Sequence, residues 1–148
     1  MQHHLRKLEE DSTWPHMSVH APRFGGREFL FDKAEAGHVH TGGILDIPFP
    51  RSIHNLLLAE GLAEEHHWVQ NSGWITLQMR SEGEEALRHA RWLMRQSYLR
   101  YTLKTAGEPR KLFEEESEQL RLSREFKSLL EPFVPETANH VSAEPLSA

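Results

Sequence analysis

The chain has no cysteine among its 148 residues. That excludes a disulfide framework, a thiolate nucleophile, an iron–sulfur centre and any Cys-ligated zinc. A metal site here must be built from His, Asp or Glu. Long apolar runs are equally absent: no stretch approaches the roughly 20 residues that span a bilayer, and the opening MQHHLRKLEEDS is polar where a signal peptide would be apolar. A cytoplasmic protein with no membrane partner is the expectation. Positive charge is also scarce, with 17 Lys and Arg against 22 Asp and Glu and a net charge of -5. No global field draws this chain to nucleic acid, and none is expected as a partner. There is no P-loop, no G-x-S-x-G elbow and no dinucleotide fingerprint.

Histidine is what the chain has in excess: eleven residues, nine of them at or before Trp74. Residues 1–16 carry charge and His3, His4 and His16 without a hydrophobic period, and read as a flexible arm. From Met17 the pattern changes to short extended pieces, MSVHA, REFLF, GHVHT and ILDIPF, divided by glycine pairs that suit hairpins. Arg27, Phe29 and Phe31 share one parity, an aromatic face for a core. Ser52 is placed to cap a short helix that Gly61 ends, and Gln70–Gly73 reads as the loop between HHWV and WITLQM. Ser81 followed by Glu84 signals a helix running to about Lys104, with its acids before its bases as the helix dipole favours. After Gly107-Glu108-Pro109 one further helix is predicted to about Glu131.

The predicted fold is α+β, an antiparallel or mixed sheet with helices packed on one face, occupying residues 17–133 as a single domain. Its core is expected to contain Phe29, Phe31, Ile44, Ile47, Ile53, Leu56, Leu57, Ile75, Leu77, Leu87, Ala90, Met94 and Tyr98. Residues 134–148, with prolines and small residues and no period, are expected to be a disordered tail.

Chemistry is expected on the other face. His38 and His40, at i and i+2 on one strand, project from the same side and can approach one ion together. Asp46 lies across the predicted hairpin, and the three form the candidate metal set for zinc, nickel, manganese or nonhaem iron. Glu35, His66 and His67 are further candidates, as ligands or as carboxylates and imidazoles behind the ligands. On a strand only one of His66 and His67 can face His38; either is a candidate proton-transfer residue. Trp68 and Trp74 are candidate walls for a ligand. A cupin barrel also uses His-X-His, but its following glutamate is missing from Thr41–Asp46, and the long helices after Ser81 fit a barrel poorly. Such histidines more commonly make ordinary hydrogen bonds, so the competing reading is a noncatalytic module. It would bind a small ligand or self-associate as a homodimer through its C-terminal helix.

The ordered motifs EAGHVH at 35–40, GILDIPF at 43–49, the His66-His67 pair, Gly73-Trp74 and YLRY at 98–101 resemble the luciferase-like domain family of bacteria and fungi, over about Gly25–Lys104. The resemblance brings no assigned substrate, cofactor or reaction. A more distant likeness, carried by HHWV, WITLQM and Gln96-Ser97-Tyr98, is to small α+β domains of the MmcQ/YjbR type. The function expected is a small-ligand-binding domain with a histidine-lined pocket, acting as a metal-dependent oxidoreductase or hydrolase on a small organic substrate.

Overall fold

A computed structural model describes residues 2–22, 25–66, 72–79 and 83–136. The chain divides into two compact units, Met1–Tyr98 and Leu99–Ala148. The first unit holds a six-stranded antiparallel sheet. In chain order its elements are α1 (Gln2–Asp11), β1 (Met17–His20), β2 (Arg27–Phe31), β3 (Ala34–Val39), β4 (Ile44–Pro48), α2 (Arg51–Ala59), β5 (Glu64–Glu65) and β6 (Trp74–Gln78). α3 (Glu84–Thr102) follows and runs across the division between the units. The strand order is β1-β2-β3-β4-β6-β5. This is the predicted α+β fold.

Period two sorts the strands. Phe29, Val39, Leu45, Ile47 and Ile75 are buried on one face, where Leu87, Ala90, Leu93 and Met94 of α3 and Ile53 and Leu57 of α2 complete the core. Leu45 and Ile47 share a parity, so Ile44 falls on the opposite face with Asp46 and is only partly buried. The expectation that Ile44 and Ile47 share the core therefore fails: adjacent parities of one strand cannot both face the helices. Leu56 and Leu77 are also only partly buried. Gly37 lets α3 approach closely, since a Cβ there would meet Met94 Sδ at 3.0 Å and the Asp46 carbonyl oxygen at 3.2 Å. At Gly73 no Cβ is possible at all, because it would sit 1.6 Å from the carbonyl oxygen of Phe49.

β3 carries the one irregularity that matters for the site. Phe29 pairs with Gly37 but Leu30 pairs with Glu35, leaving Ala36 without a partner on β2. This is a β-bulge, and its extra residue reverses the alternation beyond it. The bulged residue is fully buried, and its carbonyl accepts a hydrogen bond of 2.7 Å from Ser97 Oγ on α3.

Several local expectations are revised. Residues 2–11, read as part of a flexible arm, form α1 with Leu5 and Leu8 buried. It is tied down by ion pairs from Glu9 to Arg27 at 3.0 Å and from Asp11 to Arg91 at 2.5 Å. Two leucines spaced by three form the apolar stripe that α1 buries. Ser52 lies inside α2, whose N-cap is Pro50, so its proposed capping role fails. Gly61 does end α2 as expected, at φ +70°, with the amides of Gly61 and Leu62 donating to the carbonyls of Leu58 and Leu57. The Ser81 capping signal lies outside the described residues.

In the second unit the single predicted helix is two: α4 (Pro109–Gln119) and α5 (Arg124–Leu130), followed by a 3₁₀ turn at Glu131–Phe133. Arg121 takes φ +55° while the Leu122 amide donates to the Ser117 carbonyl, closing α4. Ser123 then caps α5 by accepting from the Phe126 amide at 3.2 Å. Phe113, Leu122, Phe126, Leu130 and Val134 are buried. Val134, in the stretch read as a disordered tail, is buried; residues 137–148 of that stretch lie outside the described residues.

Candidate metal centre

On the sheet face away from the core, β3, β4 and β6 bring three polar residues into register. His38 stands opposite Asp46 and Asp46 opposite Thr76. Asp46 is 1% exposed, so its carboxylate needs partners for both oxygens. Thr76 donates its hydroxyl to Oδ1 at 2.6 Å. Oδ2 faces three imidazoles: His40 Nε2 at 2.8 Å, His38 Nε2 at 3.4 Å and His66 Nε2 at 3.4 Å. His66 is itself buried. On its far side His38 meets Glu35, with Nδ1 donating to Oε2 at 2.5 Å.

This geometry decides the charge states. His38 has a carboxylate at each ring nitrogen, and carboxylates only accept, so both nitrogens are held protonated in the metal-free chain. Its pKa is raised from 6.5 to about 9, chiefly by Asp46 and then by Glu35, with burial opposing. For Asp46 burial is the largest influence and pushes its pKa upward. Hydrogen bonds from His38, Thr76 and His40 and the charge of His66 override it and hold the carboxyl well below the usual carboxylate range.

The same convergence suits a cation in place of the protons. The ligand atoms of His38, His40 and Asp46 all lie within 4.8 Å of one another. Ligand atoms on a zinc ion at 2.0–2.1 Å stand about 3.3 Å apart. The Oδ2 separations of 2.8 and 3.4 Å already bracket that edge, and an ion need only draw in the remaining gap. Two imidazoles and a carboxylate are ligands for a divalent transition metal. Trp74 walls the group, its ring centroid 5.5 Å from that of His38 and 6.0 Å from that of His66.

The expected trio of His38, His40 and Asp46 is thus assembled, with His66 beside it. His67 and Trp68 lie outside the described residues. Other histidines are elsewhere: His16 pairs with Asp32, His20 with Ser18, and His89 with the Leu62 carbonyl. Buried His54 lies 3.8 Å from Glu65, which stands opposite Ile75. Sequence reasoning missed Thr76, because its place opposite Asp46 is set by the pairing of β4 with β6 and carries no local signal. It also left Glu35 among several candidates, because i and i+3 on a regular strand point to opposite faces and only the bulge at Ala36 reunites them.

Compared with known protein families, residues 33–97 match the luciferase domain model. The matched span contains Glu35, His38, His40, Asp46, His66, Trp74 and Thr76, so the cluster lies wholly within the shared region. It carries the first of the two resemblances; the MmcQ/YjbR likeness rests on its short motifs alone. No curated protein and no solved structure matches the chain. No helix among the described residues is long and apolar enough to cross a membrane.

Proposed function

We propose that His38, His40 and Asp46 bind a divalent transition metal and that the chain is a metal-dependent enzyme acting on a small organic substrate. The observation that carries this reading is the convergence of three imidazole Nε2 atoms on one buried carboxylate oxygen. Three imidazole nitrogens and a carboxylate oxygen meeting at one point gather the N and O ligand atoms that a divalent transition metal takes. The two-histidine, one-carboxylate set leaves coordination positions open, as in nonhaem iron oxygenases. That donor set favours an oxidoreductase over a hydrolase. A bound metal would polarise an oxygen of substrate or water. His66, buried beside the trio, is the proton-transfer residue in this reading, and Trp74 orients the substrate by stacking.

Elemental analysis of tag-free protein, followed by titration of iron, zinc, manganese and nickel into the chelated chain, tests it. Saturable uptake of one equivalent is expected, abolished by the His38→Ala/His40→Ala pair and kept by His16→Ala. No selective uptake by the parent chain sinks the metal centre.

A noncatalytic binding module is the second reading. It is favoured by a shallow surface cavity of about 350 Å³ lined by Leu62, Glu85, Arg88, His89 and Trp92, none of them in the histidine cluster. Ligand binding that survives the His38/His40 double substitution would support it. Self-association through the C-terminal helices belongs to the same reading and is read out by sedimentation of the full chain.

A further inference from the structure

We infer that Glu35 is a positioning residue, which holds the His38 imidazole with Nε2 aimed at the metal. The inference rests on the metal centre proposed above and concerns a group that does not touch the ion. An imidazole can ligate through either nitrogen, and a ring free to turn about its χ angles presents both. Here Nδ1 is engaged by Glu35 Oε2 at 2.5 Å while Nε2 faces Asp46 Oδ2 at 3.4 Å. A metal ligand whose second nitrogen donates to a carboxylate is fixed in tautomer and orientation, and is a stronger base for it.

The backbone is built to deliver this contact. On a regular strand Glu35 would face the helices, three residues from His38 and of opposite parity. The bulge at Ala36 inserts the residue that turns Glu35 to the His38 side, pairing it with Leu30 while His38 pairs with Glu28. Leu30 and Glu28 share one parity of β2, so Glu35 and His38 share a face. The bulge is in turn pinned from the core by the 2.7 Å hydrogen bond from Ser97 Oγ to the Ala36 carbonyl. A serine on the helix face toward the sheet, a misfit among Leu93, Met94 and Tyr98, acquires a purpose: it satisfies the carbonyl of the residue that has no partner on β2.

A double-mutant cycle on the full chain tests this, with Co(II) as the probe, its affinity measured by chelator competition and its ligand field by the visible d–d bands. Glu35→Ala is expected to weaken Co(II) binding 10- to 100-fold and to change the d–d spectrum, and isosteric Glu35→Gln to weaken it less, because the amide oxygen still accepts from Nδ1. In a His38→Ala background, Glu35→Ala should change the residual affinity less than twofold, since the residue acts only through that ring. In the metal-free chain the His38 Nδ1 proton should resonate far downfield by NMR and lose that shift in Glu35→Ala. Equal losses with and without His38 would make Glu35 a direct ligand or a general charge and overturn the inference. So would unchanged affinity in both Glu35 variants, even though the parent binds. A parent chain that binds no Co(II) overturns the metal centre and this inference with it, and is told apart by failing before any variant is made. If Glu35→Ala does not fold, Glu35→Gln carries the same comparison: affinity and spectrum both identical to the parent overturn the inference.

Discussion

The two faces of one sheet are equally buried at their centres and are held by different physics. On the helix side, Phe29, Leu45, Ile47 and Ile75 are fully buried among apolar neighbours, and their contribution scales with the area hidden from water. On the other side, Asp46 is 1% exposed, but what surrounds it is directional: a threonine hydroxyl on one oxygen and three imidazoles on the other. Removing a core side chain leaves a cavity. Removing a partner of Asp46 leaves a buried charge with too few donors. Burial alone therefore does not distinguish a structural residue from a functional one; the number of directional contacts converging on it does.

The sharpest division between the faces should come from Phe29→Ala, which is expected to cost about 3–5 kcal/mol in denaturant unfolding. The folded fraction should still take up one metal equivalent. Loss of uptake in the folded fraction would show that the two faces are coupled through the strand.

Thr76→Val keeps the shape and strips Asp46 Oδ1 of its donor. The expected cost is about 1–3 kcal/mol, together with weaker metal binding. A variant as stable as the parent would mean that water replaces the hydroxyl, and Asp46 is less enclosed than its packing implies.

Acidity separates the faces without any mutation. The folded pKa of His38, raised from 6.5 to about 9, contributes stability that is fully present below pH 6.5 and lost as pH rises through 9. Asp46 acts with the opposite sign: its lowered pKa contributes stability above its ordinary value of 3.8, lost as pH falls toward the folded value. The metal-free chain should thus show a falling Tm between pH 6.5 and 9. Metal affinity should rise over the same interval, because the ion must displace the proton of His38. A Tm flat across that window in the parent, or the same slope in His38→Ala, would remove His38 from the account.

The smallest effect is expected at the C-terminus. Truncation after Glu136 should leave unfolding stability within about 0.5 kcal/mol. Truncation after Phe133 also removes buried Val134, 4% exposed, and should cost about 1.5 kcal/mol.

Much of this was legible in the residues. The glycine pair at 42–43 announced the β3–β4 hairpin, and Gly43 does take φ +84°. His38 and His40 were expected on one strand; β3 ends at Val39, but His40 just beyond it still meets Asp46, its Nε2 2.8 Å from Oδ2, and Asp46 returns across that hairpin as expected. Where the reading slipped, a local rule was followed past its limit. Pairing Ile44 with Ile47 ignored the parity of β4, and the apolar period after Pro109 was continued through Arg121 and Ser123, where one residue in the left-handed region and one cap suffice to start a new helix.

By itself the sequence determined which side chains are available and which of them share a face. Absent cysteine restricted metal ligands to His, Asp and Glu, and alternation with period two separated Leu45 and Ile47 from Asp46 before any strand had a neighbour. Only the tertiary structure decided which strands lie side by side. The choice of His66, the placing of Thr76 opposite Asp46 and the turning of Glu35 by an unpaired Ala36 all depend on register across strands distant in sequence. Register is set by the burial of a whole face and by turn geometry together, and a slip of one residue would exchange every inward and outward side chain on a strand. Local patterns therefore place residues on faces, and long-range pairing places them on one another.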